Sequence, residues 1–85
     1  MDIRFHKGFI RKFNKLSKND QKRFNERFVI FANDAFDPIL KNHTLKGKHS
    51  NCRSINITGD LRAIYTVKGE TVTFLEIGTH SELYS

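Results

Sequence analysis

The sequence has a single cysteine, Cys52, and no long run of apolar residues. One cysteine cannot form a disulfide within the chain, and the four histidines are scattered without the Cys-x-x-Cys pairs typical of zinc sites. No apolar stretch approaches the roughly 20 residues that span a membrane, and the first residues lack the apolar run of a signal peptide. These absences predict a protein of the reducing cytoplasm that needs no metal and no cofactor.

Acidic residues are scarce in the first 30 positions, and this segment therefore carries the whole net charge of +6. The rest of the chain holds equal numbers of acidic and basic side chains. A basic segment predicts a polyanionic partner, either nucleic acid or an acidic protein segment, although a basic surface can also simply aid solubility. The candidate phosphate-binding side chains are Arg11, Lys15, Lys22 and Arg23 in this segment and Lys46, Lys48 and Arg53 beyond it.

The hydrophobic pattern predicts one short strand, then two helices, then three strands. Apolar residues recur at helical spacing up to residue 35, and the period changes to two after residue 50. The segment from Ile39 to Ser50 is predicted to be an ordered loop. The predicted elements are a strand at 3–5, a helix from Phe9 to Leu16, a longer helix from Ser17 to Asp37-Pro38, and strands at 53–57, 61–67 and 71–77.

Two turns with a central glycine, at 58–60 and 68–70, predict antiparallel hairpins between the last three strands. A length of 85 residues suits one domain with one core, spanning residues 1–85. The predicted fold class is therefore α+β, a two-layer β-α-α-β-β-β arrangement with two N-terminal helices packed on an antiparallel sheet. Phenylalanines of the helices would cover one sheet face and leave the other face free for a site.

The last eight residues, from Gly78 to Ser85, follow the final predicted strand. Gly78 provides backbone freedom where the strand ends, and Thr79 and Glu82 have the spacing of a capping box for a short helical turn. In such a turn, His80 and Tyr84 share one face. The alternative is a tail that only docks on the core.

Several groups that can move protons or bind phosphate are predicted on the sheet side: His43, Arg53, Asp60, Arg62, His80 and Tyr84. A metal-free ribonuclease needs a base for the 2′-hydroxyl, an acid for the leaving 5′-oxygen and a cation for the charge that develops on the phosphate. Histidine suits the first two roles and arginine the third. Each group also has a structural interpretation: the arginines can pair with Asp60 or Glu76, Asp60 can form a turn, and His43 can be solvated. His6 and His49 are interpreted as surface residues.

Four stretches resemble the signature segments of the RelE/ParE toxin superfamily, and especially of its YafQ branch. They are His43-Thr44-Leu45-Lys46-Gly47, Arg53-Ser54, Gly59-Asp60-Leu61-Arg62-Ala63-Ile64-Tyr65 and Gly78-Thr79-His80-Ser81-Glu82-Leu83-Tyr84. The similarity covers the C-terminal half in motif and the whole chain in element order. It implies a bacterial, cytoplasmic type II toxin: a ribosome-dependent endoribonuclease that cuts mRNA in the decoding site and is silenced by a cognate antitoxin.

The resemblance also implies roles for particular residues. His80 corresponds to the principal catalytic histidine, His43 to another histidine of the site, and Asp60 to the acidic residue after the hairpin turn. Tyr84 occupies the terminal aromatic position, where an aromatic ring would stack on or orient the substrate nucleotide. Arg62 corresponds to the arginine that RelE-like members use toward phosphate.

Three positions depart from the family pattern. Asn56 replaces a histidine of the second strand and cannot act as an acid or a base, and Ser54 stands where an acidic side chain is expected. Leu61 replaces a bulky aromatic, whereas Arg53 matches a sheet arginine near the site. These departures bear on the rate and on the division of acid and base roles more than on the reaction class.

The residues and the resemblance support three hypotheses. The first is the ribonuclease, with His80 as the base, His43 or Asp60 assisting proton transfer, the arginines on the phosphate and the basic helices on ribosomal RNA. The second is a non-enzymatic ParE-like toxin that poisons DNA gyrase, and the third is a degenerate member that only binds an antitoxin. A neutralising antitoxin would either wrap the helices or cover the sheet-side groove.

Overall fold

The computed structural model describes residues 1–84, except for the side chain of Lys48. Its elements follow the predicted order, with one further short strand and a short C-terminal helix. They are β1 (Asp2–Phe5), α1 (Lys7–Asn14), α2 (Lys18–Asn33), β2 (His43–Thr44), β3 (Cys52–Asn56), β4 (Leu61–Lys68), β5 (Thr71–Thr79) and α3 (His80–Tyr84). Single 3₁₀ turns at Pro38–Leu40 and Gly47–His49 flank β2. No helix in the described part of the chain is long and apolar enough to cross a membrane.

The five strands form one mixed sheet in the order β1-β5-β4-β3-β2. Strands β2 to β5 pair antiparallel, but β1 pairs with β5 in parallel. The α+β class with two helices on a sheet is confirmed, whereas the expectation of a purely antiparallel sheet is wrong at β1. Because β1 and β5 run in the same direction, the helices that follow them, α1 and α3, leave the sheet at the same end.

One face of the sheet packs against α1 and α2 and holds the hydrophobic core. Phe74 of β5 is fully buried at its centre. Its ring centroid lies 5.3–6.0 Å from those of Phe5, Phe9, Phe24, Phe28, Phe31 and Tyr65. The helical stripe of phenylalanines therefore covers this face, as predicted, and α1 and α2 leave the opposite face uncovered.

Helix α2 begins where the capping pattern predicts and ends earlier than expected. Ser17 Oγ accepts the Asp20 N–H at 3.1 Å, as an N-cap does. The helix ends at Asn33 rather than at Asp37-Pro38, because Asp34 is extended and its carboxylate accepts the N–H of Phe36 at 3.0 Å. Such a local side-chain bond competes with the helical ladder.

The connections between strands differ in detail from the glycine-centred turns that were predicted. Lys68 pairs with Thr71, so Gly69 and Glu70 alone form the β4–β5 turn, and Gly69 has a φ of +61°. Gly59 does not have a positive φ, and an added Cβ there would meet nothing within 4 Å. The β3–β4 turn therefore does not depend on glycine.

Candidate active site on the open sheet face

An open groove of about 440 Å³ crosses the sheet face that the helices leave uncovered. Its walls come from the segment around β2, from β3 and β4, and from α3. The lining residues are Lys41, His43, Leu45, Asn56, Arg62, His80 and Tyr84. Four of the five predicted catalytic residues thus share one groove, and the lining contains no carboxylate.

Helix α3 presents His80 and Tyr84 to this groove. The predicted capping box forms: the Thr79 N–H donates to Glu82 Oε1 at 2.7 Å, and the Glu82 N–H donates to Thr79 Oγ1 at 3.3 Å. The Thr79 backbone N–H, followed by its hydroxyl, holds the pKa of Glu82 below its ordinary value of 4.5. The two rings then lie with their centroids 4.7 Å apart.

Gly78 has a different role from the one predicted. It lies within β5 and does not have a positive φ. An added Cβ would approach Glu82 Oε1 to 3.1 Å and Leu83 Cδ2 to 3.4 Å. A side chain at this position would displace Glu82 by a few tenths of an ångström, so glycine eases the close packing of α3 on the strand and does not serve backbone freedom.

Tyr84 is fixed by two residues that the sequence did not single out as parts of the site. Its hydroxyl donates to Oγ of Ser54, which is fully buried, at 3.2 Å. The ring of His49 stands edge-on to Tyr84 with centroids 6.2 Å apart, and His49 Nε2 lies 3.3 Å from the Leu83 carbonyl oxygen. The sequence predicts a surface position for His49, but the residue is half-buried against α3. No local sequence pattern signals this contact, because it depends on the path of the loop.

His43 enters the groove from the edge strand β2. Its Nδ1 lies 2.8 Å from the carbonyl oxygen of Lys41, which can only accept a hydrogen bond. The proton of this bond must therefore be on Nδ1, which leaves Nε2 as the ring nitrogen without this contact.

Arg62 and Asp60 are both predicted as site residues, but only Arg62 lines the groove. Arg62 lines the groove, and its Nη1 donates to the carbonyl oxygen of Thr58 at 3.0 Å, which fixes the guanidinium beside the hairpin. Asp60 does not line the groove. Its carbonyl oxygen accepts the His80 N–H at 3.1 Å, and its Oδ1 lies 3.4 Å from the same nitrogen. Asp60 thus anchors the start of α3 and the catalytic candidate His80.

Arg53 does not line the groove. Its Nε donates to Oδ1 of Asn42 at 2.7 Å, and its guanidinium lies 5.1 Å from the centroid of the Phe36 ring. It pairs with Tyr65, a core residue of the helix-covered face. Arg53 therefore ties the loop after α2 to the sheet.

The predicted RNA-binding lysines and arginines are spread over several surfaces. Lys15 lines a cavity between α1 and α3 together with Lys12, and Arg23 lines a polar groove beside the β3–β4 turn together with Arg27. Lys12 and Arg27 were not predicted, although both lie in the basic segment. Arg11, Lys22 and Lys46 are exposed elsewhere on the surface, and the side chain of Lys48 lies outside the described part of the structure.

The two departures on β3 have different surroundings. Asn56 pairs with Arg62 and lines the groove, so an amide stands where the family pattern has an imidazole. Ser54 is fully buried and accepts the hydrogen bond of the Tyr84 hydroxyl. The histidines available inside the groove are therefore His43 and His80.

Comparison with solved structures defines the class of protein. The chain superposes on a YoeB/ParE toxin from Agrobacterium tumefaciens with a TM-score of 0.77 and 18% identity, covering 94% of this chain and 99% of that one. It superposes on YafQ from Escherichia coli strain BL21(DE3) with a TM-score of 0.81 and 21% identity, covering 99% and 98%. Its fold is that of the RelE-like toxins.

Closer sequence similarity identifies the family. A copper-bound mutant toxin from Helicobacter pylori is 32% identical, with a TM-score of 0.81 and 99% of each chain covered. Residues 1–85 also match the family described as the bacterial toxin of type II toxin–antitoxin systems, YafQ. The chain therefore belongs to the YafQ toxin family. A search of curated protein sequences gave no match.

Proposed function

We propose that this YafQ-family toxin is an endoribonuclease that cuts mRNA on the ribosome without a metal ion. The observation that carries the proposal is the placement of two histidines at opposite sides of one groove, with Arg62 on the strand between them. His43 belongs to the edge strand β2, and His80 follows β5 at the other side. A phosphodiester lying across the groove would meet a proton acceptor, a cation and a proton donor.

The reaction is an in-line attack by the neighbouring hydroxyl. His80 accepts the proton of the 2′-hydroxyl, the 2′-oxygen forms a bond to phosphorus, and the bond from phosphorus to the 5′-oxygen breaks. His43, protonated at Nε2, gives its proton to the leaving 5′-oxygen. Arg62 stabilises the charge that develops on the non-bridging oxygens. The products are a 2′,3′-cyclic phosphate and a 5′-hydroxyl.

Tyr84 and Asp60 support this chemistry without exchanging protons with the RNA. The Tyr84 hydroxyl is engaged with Ser54, so its ring provides a stacking surface beside His80 for the substrate nucleotide. Asp60 positions His80 through the backbone of α3. The basic helices bind ribosomal RNA, and this binding weakens steeply with salt because it neutralises phosphates.

The experiment that tests the proposal compares mRNA cleavage by translating ribosomes in the presence of the wild-type protein and of His80→Ala. General acid–base catalysis contributes about 10²- to 10⁴-fold, so the variant should lose at least about 100-fold in rate. His6→Asn is the matched control. His6 caps α1 through Nδ1, which accepts the Gly8 N–H at 2.9 Å, and asparagine is also a good N-cap.

The control should cleave like the wild type. Full cleavage by His80→Ala would remove His80 from the mechanism. If the wild-type protein leaves mRNA intact but causes DNA cleavage that requires gyrase, the ribonuclease proposal fails and the gyrase alternative replaces it.

The partner we propose is an acidic, amphipathic antitoxin segment bound to the helices. YafQ from Escherichia coli has been solved in complex with DinJ, at 22% identity to this chain. Here a groove of about 220 Å³ runs over α1 and α2, lined by Phe5, Phe9, Ile10, Phe13, Phe24 and Asn25. Exposed Lys7 and Arg11 lie in the same helix as Ile10, so apolar and basic contacts are available together.

Ile10→Asp tests this placement. Ile10 is 47% exposed, so the change should leave the fold intact while it places a negative charge against an acidic partner. The variant should fail to co-purify with its antitoxin and should still cleave mRNA. Ile39→Asp, at 48% exposure on the 3₁₀ turn before β2, is the control and should still bind. Unchanged binding by Ile10→Asp would favour the sheet-side groove instead.

A further inference from the structure

Lys41 has a backbone conformation that residues with long side chains rarely adopt. Four residues in the described part of the chain have positive φ: Gly47, Gly69, Asn51 and Lys41. Glycine and asparagine are the residue types for which this left-handed region costs least. Lys41, with a φ of 48° and a ψ of 45°, is neither. A feature of the surrounding structure must therefore hold it in place.

The neighbours of Lys41 supply that restraint. Leu40 is fully buried, and Nδ2 of Asn42 donates to the Tyr65 hydroxyl at 2.6 Å. The Lys41 N–H donates to the Pro38 carbonyl oxygen at 3.2 Å, while its own carbonyl holds the His43 ring. Both the N–H and the carbonyl of Lys41 are thus engaged, and Lys41 is an exposed residue of the groove lining.

The position of Lys41 relative to Arg62 indicates which class of ligand Lys41 could bind. Lys41 and Arg62 are the lysine and the arginine of the lining, and the lining holds no carboxylate. Lys41 precedes the edge strand β2, whereas Arg62 lies on β4 with β3 between them. Two strand spacings amount to about 10 Å, a gap that the two long side chains can close around one phosphate.

We propose that Lys41 binds the scissile phosphate from the β2 side of the groove, opposite Arg62. The left-handed backbone turns the Lys41 carbonyl toward His43, and the exposed Lys41 side chain can extend from this point over the groove. A glycine would relax the backbone but could not bind an anion. This inference rests on the proposed ribonuclease function for its substrate, while the anion-binding part can be tested separately.

The first experiment compares Lys41→Gly and Lys41→Met with Asn51→Gly. Lys41→Gly removes the charge and the backbone strain, whereas Lys41→Met removes the charge and keeps the strain. Both should lose about 100-fold in mRNA cleavage, the effect of removing one donor to a developing charge. Lys41→Gly should also unfold at the same temperature as the wild type or a higher one. Asn51→Gly relaxes a left-handed residue outside the groove lining and should cleave like the wild type.

The second experiment measures binding of a 2′-deoxy oligonucleotide, which cannot undergo attack by a 2′-hydroxyl. Lys41→Gly should weaken binding and reduce the dependence of log K on log salt by about one. If the wild type binds this probe through Lys41 but never cleaves mRNA, the ribonuclease proposal fails and the phosphate site stands. Cleavage by Lys41→Gly within twofold of the wild type, or probe binding unaffected by both Lys41 variants, overturns the Lys41 proposal.

Discussion

The two faces of the sheet differ in the side chains that they carry. The helix-covered face is filled by aromatic rings around Phe74, and Arg53, which borders this face, contacts Asn42 and Phe36. The open face carries His43, Arg62 and His80 around a groove with no acidic side chain in its lining. We therefore expect stability to depend mainly on one face and the proposed cleavage of mRNA on the other. Substitutions that affect one property and leave the other unchanged can test this division.

The largest effect on stability is expected for Phe74→Ala. A fully buried phenylalanine replaced by alanine costs about 3–5 kcal/mol, because the transfer free energy is lost and a cavity remains. Urea unfolding monitored by circular dichroism measures this change. Thr73→Ala, one residue earlier and on the open face, is the control and should stay within about 0.5 kcal/mol of the wild type. Equal destabilisation by both would contradict the division between the faces.

Arg53 and Arg62 lie on opposite faces of the sheet, so changes at these two residues compare the faces directly. Arg62→Gln should lower mRNA cleavage by about 100-fold, because a preorganised donor to the phosphate is lost. Arg53→Gln should instead lower the free energy of unfolding by about 1–2 kcal/mol, through loss of the Asn42 hydrogen bond and the contact with Phe36. Cleavage is measured at a temperature where both variants are folded. Loss of cleavage in a folded Arg53→Gln protein would show that this arginine reaches the RNA.

Much of this fold follows from patterns within single segments. The phenylalanine stripe, the Ser17 cap and the change to a period of two are local, so they place the helices and the main strands. The parallel pairing of β1 and the two-residue strand β2 depend on contacts between distant segments. The secondary-structure propensity of a few residues cannot predict those contacts.

The site residues also fall into those that local patterns predict and those that depend on contacts between distant segments. The capping box placed His80 and Tyr84 on one face of α3, and the structure has both in one groove. The sequence did not identify Lys41 or His49 as site residues, because their positions depend on loop conformation. Lys41 has a left-handed backbone. His49 reaches α3 because of the path that the loop takes. The residue types alone gave Arg53 and Arg62 the same phosphate role, since strand alternation does not state which face the helices cover, and only the family resemblance set Arg62 apart.

A smaller effect is expected for Tyr84→Phe, which removes only the hydroxyl that donates to Ser54. A typical hydrogen bond contributes about 0.5–1.5 kcal/mol, and Ser54 is left buried without this donor. Urea unfolding should show a loss of that size. Cleavage should stay within a few-fold of the wild type, because the ring still stacks. Tyr84→Ala should lose cleavage strongly, and a result in which Phe and Ala are equally defective would indicate that the hydroxyl takes part in the chemistry.

The smallest effect on stability is expected for a change at Glu82. This change tests the contribution of α3 separately from that of the rest of the open face. The pKa of its carboxyl is lower in the folded protein than its ordinary value of 4.5, mainly because it accepts the Thr79 N–H. A lowered folded pKa means that the ionised group stabilises the fold fully above pH 4.5 and that this contribution disappears as pH falls through the folded pKa. Glu82→Gln should therefore be less stable than the wild type at pH 7, and the difference should shrink as the pH is lowered below 4.5 in urea titrations. Ser81→Ala, an exposed change in the same helix that removes no ionisable group, should give a difference independent of pH. A pH-independent difference for Glu82→Gln would mean that its side chain acts through packing against Gly78 rather than through its charge at the start of α3.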